Sequence, residues 1–383
     1  MIKETAVSLF LTVLRAVFNI FRLMPLKEKT IMLTSFGDNM EYVIDEVKKQ
    51  TSSEIFILKE PRCKKTFKNI NSNNIVDFNP RKVFSFIRGM YHLATGKYIF
   101  IDNYHVVLAA CDFRAAVKCT QLWHANGAVK YFGYRDKTIK KRPGSAHKRF
   151  KKVYSKFHYL AVGSDEMAYI FGEAFGADDS RMIKTGVPRT DFFYNKQAVD
   201  DAAEKIRAAL PELREKKVLL YAPTFRDDQF DLADVHLNIN LMKKSLSSEY
   251  HLLLKLHPAV KLSGFNNDEF VTDVSTGFEI NSLLTAADIL ITDYSSIPFE
   301  FSILNKPMIF FAYDLEEYEK ERGIWFNYES YMPGPIAYNT EAIIKQIQEN
   351  NFDIGEITAF NNQWNKYSRG YSSRNLVKHI YRT

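Results

Sequence analysis

At 383 residues the chain is too long for one compact core and about right for two. With 46% hydrophobic and 25% charged residues it has an ordinary globular composition, which excludes a disordered chain and a collagen-like fibre. The net charge of +7 is concentrated: between Arg135 and Lys156 ten lysines and arginines face only Asp136, so the remainder is slightly acidic.

In chain order, residues 2–24 predict a helix. Ser8, Thr12, Arg15, Asn19 and Arg22 line one face, while Phe10, Leu14, Val17, Phe18, Phe21 and Met24 take the opposite one. Two arginines argue against a transmembrane span, and no small-residue cleavage site marks a signal peptide. Residues 1–28 therefore read as an amphipathic membrane-surface helix, with Lys27 and Lys29 adding charge at its end. The competing expectation is a helix packed on the protein's own core.

From residue 29 short β-rich runs alternate with helical stretches. Strands are expected at 30–36, 54–58, 97–104, 120–125 and 158–164, and again at 217–225, 251–258, 270–275, 288–295 and 307–314. The later runs are continuously apolar, as in a parallel sheet covered on both faces. The fold class is thus α/β, with two doubly wound Rossmann-like domains, at 29–195 and 196–383, and an active site in the cleft between them. Cys63, Cys111 and Cys119 form no ladder and no Cys-x-x-Cys pair, and read as buried thiols of a reducing compartment.

Chemistry-bearing residues cluster at predicted strand ends. In DILITDYSSIPFEF the strand ends at Asp293, and Ser295 and Ser296 lead into a helix with Pro298 in its first turn. Such a turn offers backbone N–H groups and hydroxyls to an anion, with Glu300 placed to hold a ribose; simple capping is the plain alternative. LLLKLHP sets Lys255 and His257 on one side of a strand end, suited to a phosphate. YAPTFRDD supplies Thr224 and Arg226, whose planar fork matches phosphate oxygens unless it pairs with Asp227 or Asp228. KERGIW offers Arg322. In the first domain TQLWHANGAVKYFG places His124 at a strand end, where an imidazole suits a general base.

Lys130 and the basic belt, including Lys140, Lys141, Arg142, Lys148 and Arg149, follow His124 and would meet a polyanionic acceptor or an anionic membrane; a solvated charged face is the plain reading. No Walker loop, G-x-S-x-G elbow, G-x-G-x-x-G or Asp-x-Asp motif occurs, and the histidine spacing gives no zinc site.

Taken together, IDNY, QLWHANGAVKYFG, VGSDEM, TGVPRTD, YAPTFRD, KLHP and ADILITDYSSIPFEFSILNKP resemble the CDP-glycerol glycerophosphotransferases of Gram-positive teichoic acid synthesis, over nearly the whole chain from residue 30. The resemblance implies a two-domain GT-B-type fold with CDP-glycerol held mainly by the C-terminal domain. It implies His124 as the base, and Arg226, His257, Ser295 and Ser296 on the diphosphate, with Thr224, Asp293, Glu300 and Arg322 as neighbours. HANG, where many polymerase members have a His-Gly pair, resembles the primase subgroup, as does the short length. Primases add one glycerol phosphate to undecaprenyl-diphosphate-linked N-acetylmannosaminyl-N-acetylglucosamine on the cytoplasmic face of the membrane. No resident cofactor or metal is implied, although Mg²⁺ assistance is compatible with the chemistry, and self-association through the first helix stays open. The rivals are a polymerase or ribitol-phosphate transferase of the same family, a UDP-sugar glycosyltransferase, and a non-catalytic binder of anionic lipid. Nucleic-acid binding is not expected, because no recognition helix or aromatic platform accompanies the basic residues.

Overall fold

The computed structural model describes residues 2–226, 236–257, 260 and 266–382, and the chain divides into two compact units. The first comprises Met1–Asn126, Phe132–Asp191 and Lys366–Thr383; the second comprises Gly127–Tyr131 and Phe192–Asn365.

The first unit carries a parallel sheet of β1 (Lys27–Thr34), β2 (Glu54–Lys59), β3 (Ile75–Asp77), β4 (Gly96–Ile101), β5 (Lys118–Gln121), β6 (Tyr159–Ala161) and β7 (Met182–Ile183), in the order 3-2-1-4-5-6-7. Its helices are α1 (Ile2–Arg22), α2 (Asp38–Gln50), α3 (Val83–Thr95), α4 (Gly144–Tyr154) and α5 (Asp165–Phe175). The second unit repeats the plan with β8 (Lys217–Tyr221), β9 (Tyr250–Leu254), β10 (Val271–Asp273), β11 (Ile289–Thr292), β12 (Met308–Phe311) and β13 (Ile336–Ala337), ordered 10-9-8-11-12-13. It holds α6 (Lys196–Ala209), α7 (Ile239–Leu246), α8 (Ile280–Ala286), α9 (Ile297–Phe301), α10 (Leu315–Arg322), α11 (Tyr328–Tyr331), α12 (Thr340–Glu349) and α13 (Ile354–Trp364). In each sheet the order reverses between the first and fourth strands, which is where a doubly wound sheet opens a crevice at its carboxyl edge. Three strands were not anticipated from the sequence: β3, β7 and β13 are edge strands of two or three residues, too short to show periodicity.

The C-terminal boundary differs from the sequence expectation, which gave 196–383 wholly to the second domain. The last helix, α14 (Ser372–Arg382), packs in the first unit, where Leu376, Val377 and Ile380 bury against Met32, Met40, Val43 and Ile44. TGVPRTD is its dock. Asp191 accepts from the amides of Ser372 and Ser373 at 2.8 and 2.9 Å, a capping arrangement at the helix start. Gly186 adopts φ +91°, and a Cβ there would lie 2.3 Å from Ser372 Oγ and 2.6 Å from the Tyr367 carbonyl, so only glycine fits.

The first helix also departs from expectation. Leu14 and Phe18, assigned to the lipid-facing side, are buried on the first unit, and the Phe18 ring meets Phe113 edge-on at 5.7 Å. A second apolar stripe is exposed instead: Leu9, Val13, Ala16, Ile20 and Leu23 recur at spacings of four and three, Leu23 being 87% exposed. Val83, Phe84 and Ile87 of the neighbouring α3 are exposed as well. Lys29, expected at a membrane surface, is buried inside β1, donating to Thr95 Oγ1 at 2.8 Å and lying 3.1 Å from His92 Nδ1. By length and composition α1 would pass for a membrane span, yet one face belongs to the protein core.

This double-faced helix predicts an asymmetric mutational response. Phe18→Ala should lower unfolding stability by about 3 kcal/mol, the usual cost of emptying a packed aromatic site. Ile20→Ala, on the exposed stripe, should change it by less than about 0.5 kcal/mol in the same denaturant titration.

Candidate functional site

In the second unit the predicted residues converge on one buried knot. Asp293 follows the last residue of β11, and its carboxylate accepts from the Thr224 amide at 2.7 Å and from Arg226 Nη1 at 2.9 Å. Arg226 turns its Nε and Nη2 onto both oxygens of Asp314, at 2.7 and 3.0 Å, and Nη1 also donates to the Thr224 carbonyl. The rings of Tyr294, Tyr313 and Tyr318 surround the guanidinium at 4.9–5.7 Å, and the Tyr294 hydroxyl donates to Asp314 at 2.9 Å. Residues just past β8, β11 and β12 are thereby tied together.

The knot corrects one expectation. Arg226 is only 8% exposed and has four of its five N–H groups committed to protein oxygens, so it braces the strand ends rather than forking onto a phosphate. Asp314 and Asp293 hold it firmly charged, while burial raises the Asp293 carboxyl above its ordinary value. Asp227, Asp228 and Pro258 lie outside the described residues. Lys255 is not available to a phosphate either: β9 ends at Leu254, and the Lys255 ammonium donates to the carbonyls of Ser275 and Phe278 at 3.1 and 2.9 Å.

Four predicted residues remain at or near the surface of this unit. His257 is exposed with its ring 4.3 Å from that of Phe225. Ser295 and Ser296 are half-buried; Ser295 Oγ accepts from the Ile297 amide at 3.2 Å, and Ser296 caps α9 without a side-chain bond. Arg322 is exposed at the end of α10. Lys130 comes close to it in the fold, because the segment 129–131 bridges antiparallel to 323–325 through Tyr131 N to Gly323 O at 3.0 Å and Trp325 N to Val129 O at 3.0 Å. Glu300, expected near a ribose, is buried among the side chains that seat α9. Gly127 makes that seat possible, since a Cβ there would stand 2.4 Å from the Phe299 ring.

In the first unit His124 follows β5 on a strained peptide. Trp123 has φ +58°, costly for a bulky residue, and is held there by Gln121 Oε1 on its amide and Asn39 Nδ2 on its carbonyl, at 2.8 and 2.9 Å. The His124 ring stacks on Phe36 at 4.3 Å, and its Nδ1 lies 3.1 Å from the Asp102 carbonyl. A carbonyl can only accept, so Nδ1 carries the proton and Nε2 keeps a lone pair. Burial lowers the imidazole to about 4, opposed by Asp102 and reinforced by Arg189 and Arg62, so the ring is neutral at physiological pH.

Behind it lies a cluster the sequence reading did not single out beyond the string IDNY. Asp102 is buried and accepts from the amides of Ser35, Phe36 and Gly37 at 2.9, 3.1 and 2.8 Å and from the Thr34 hydroxyl. His105, fully buried, sits 3.6 Å from Asp102 Oδ1 and 3.1 Å from Glu60 Oε1. These two carboxylates outweigh the effect of burial and push His105 up to about 9. Asp102 and His105 are three residues apart and His105 and His124 nineteen, spacings that carry no signal in the sequence, so only the fold brings them together.

Of the basic belt, Lys140, Lys141, Arg142 and Lys148 are exposed. Arg149 is not: it pairs with Glu4 of α1 at 3.0 Å with a side chain mostly covered, and so fastens α4 to the first helix. Among the described residues no group of three or more His, Cys, Asp or Glu side chains could hold a metal ion, and all three cysteines are free and buried.

Two stability measurements check this geometry. Arg226→Met strands the buried Asp293 and the half-buried Asp314 carboxylates and should cost about 3–5 kcal/mol, whereas a solvent-facing phosphate ligand would cost little. His105 is raised on folding, so its stabilisation is full below about pH 6.5 and fades as pH rises through about 9. Wild-type stability should fall by about 3 kcal/mol across that window, and the fall should be absent from His105→Gln.

The model of the family described as CDP-Glycerol:Poly(glycerophosphate) glycerophosphotransferase matches residues 16–382. The chain is 38% identical over 387 aligned positions to a teichoic acid glycerol-phosphate primase of Bacillus subtilis, covering 99% of this chain and 98% of that one. It is 35% identical to a teichoic acid poly(ribitol-phosphate) polymerase of Bacillus spizizenii, over 95% of this chain and 58% of the other. Among solved structures, a variant of the wall teichoic acid polymerase TagF superposes with a TM-score of 0.79 at 22% identity, covering 100% of this chain and 98% of that chain. A UDP-GlcNAc 2-epimerase of Neisseria meningitidis gives 0.58 at 14% identity over 94% of this chain and 100% of that one, a likeness of fold alone. The chain therefore belongs to the CDP-glycerol:poly(glycerophosphate) glycerophosphotransferase family and is a transferase of teichoic acid synthesis.

Proposed function

We propose that the chain transfers one glycerol phosphate from CDP-glycerol to undecaprenyl-diphosphate-linked N-acetylmannosaminyl-N-acetylglucosamine, releasing CMP and priming wall teichoic acid synthesis. The full-length similarity to a protein named a glycerol-phosphate primase carries this reading. His124 is the base. Its protonated Nδ1 is anchored on the Asp102 carbonyl, and Nε2 takes the proton of the acceptor hydroxyl. The acceptor oxygen then bonds to the glycerol-bearing phosphorus, the bond from that phosphorus to the CMP oxygen breaks, and CMP leaves with the electron pair. Such reactions depend mainly on positioning and charge stabilisation.

In the second unit Ser295, Ser296, His257 and Arg322 contact the donor diphosphate, while Thr224, Arg226 and Asp293 hold the loops that carry them. The exposed stripe of α1 with Val83, Phe84 and Ile87 of α3 rests in the membrane interface on the cytoplasmic side. Lys140, Lys141, Arg142 and Lys148 meet anionic headgroups, and Lys130 meets the acceptor.

CMP release from CDP-glycerol, with a short-lipid analogue of the disaccharide diphosphate and products sized by mass spectrometry, tests the reaction. One added unit is expected. A ladder of additions would make the chain a polymerase, and consumption of CDP-ribitol in place of CDP-glycerol would overturn the donor. His124→Ala should lower turnover by roughly 10²–10⁴-fold while CDP-glycerol binding, read by calorimetry, is retained. Because His124 is depressed to about 4, the base form persists at low pH. The acid limb of kcat/KM should therefore lie near pH 4 rather than near the ordinary imidazole value of about 6.5.

A further inference from the structure

The Thr34–Gly37 turn hangs on a single side chain. Both oxygens of Asp102 are occupied by donors from this turn: Ser35 N on Oδ1, and Thr34 Oγ1, Phe36 N and Gly37 N on Oδ2. Three consecutive amides point at one carboxylate, so the path of the turn is set by that charge. The turn in turn presents Phe36. One ring face contact goes to the His124 imidazole at 4.3 Å and 19°, and the Arg62 guanidinium lies 4.6 Å from the same ring. The same residue reaches His124 by a second route, because its backbone carbonyl receives Nδ1. Ring plane and tautomer of His124 are thus both referred to residue 102.

A carboxylate this deeply buried needs a counter-charge. His105 supplies it, and Glu60 completes the arrangement by accepting from Ser35 Oγ at 2.6 Å while facing the other nitrogen of His105. His105 is itself wholly buried, with one ring nitrogen on Asp102 and the other on Glu60, so it acts as the counter-charge of this cluster.

From this geometry we infer that Asp102 is a positioning residue for the base, fixing the His124 tautomer through its carbonyl and the ring plane through Phe36, with His105, held between Asp102 and Glu60, as the counter-charge of its carboxylate. The inference rests on the reading of His124 as the base, and the test separates the two. Asparagine at position 102 cannot reproduce the carboxylate, because whichever way its amide faces, an NH₂ group meets backbone N–H donors. Phe36→Leu keeps every bond to Asp102 and removes only the stacked ring.

Nitrogen-15 spectra of histidine-labelled enzyme read the tautomer directly, with His124→Ala assigning the signals. In the wild type the His124 proton should reside on Nδ1. Asp102→Asn, which keeps the backbone carbonyl, should leave the proton on Nδ1 but release the turn that carries Phe36, giving a kcat lower by roughly 10²-fold with KM for CDP-glycerol nearly unchanged, as expected for a base displaced by about an ångström. Phe36→Leu should retain the tautomer and lose a smaller part of kcat, which excludes global unfolding as the cause. A wild-type proton on Nε2, or an Asp102→Asn variant with full kcat, would overturn the positioning role. Full turnover by His124→Ala would instead remove the base, leaving the tautomer result intact.

Discussion

Each sheet is braced by an aspartate one residue beyond its fourth strand, with a carboxylate that gathers the loop following the first strand. Asp102 follows β4 and holds the turn after β1; Asp293 follows β11 and holds the Thr224 amide after β8. The parallel pairing makes this possible. Leu33 is level with Ile101, and Tyr221 with Ile291, so the two strand ends finish side by side. With the order 3-2-1-4 the connections leave to opposite faces there, and backbone N–H groups at the rim would lack partners. A carboxylate satisfies several at once, but its own burial must be offset by a cation.

The two units meet that requirement differently, and the difference decides what each brace does. In the first, the cation is His105, whose second partner is Glu60, and the brace leaves the neighbouring His124 neutral with an open nitrogen. In the second, the cation is Arg226, whose fork is absorbed by Asp293 and Asp314 within a shell of tyrosines. An arginine that looks like a phosphate ligand therefore becomes a tie between three strand ends. His257 and Arg322 are exposed in that unit, and Ser295 and Ser296 are half-buried.

The ends of the chain are organised by the first unit. Asp191 and Gly186 receive α14, which covers one side of the sheet with Leu376, Val377 and Ile380. At the other end α1 uses Leu14 and Phe18 to grip the same unit and keeps a separate apolar stripe in the open. The Glu4–Arg149 pair ties it to the basic helix α4, on which Lys148 is exposed.

Much of this was legible in the residues themselves. The largely apolar runs at 217–225, 251–258 and 288–295 and the alternation of helix and strand determined two doubly wound sheets, because burial on both faces demands that pattern. The motif order determined the family, and the placing of His124 just past β5 and of TDYSS at the end of β11 was legible with it. What only the tertiary structure decided were the partners. Whether Arg226 faces a phosphate or Asp314 depends on a residue 88 positions away, and His105 becomes a counter-ion only because Glu60 and Asp102 converge on it. The same holds for α1: periodicity assigned it one apolar face, but which side is covered depends on the α3 surface and Phe113 it packs against. Local pattern specifies which elements form; long-range contact determines which polar groups are already satisfied, and so which remain to do chemistry.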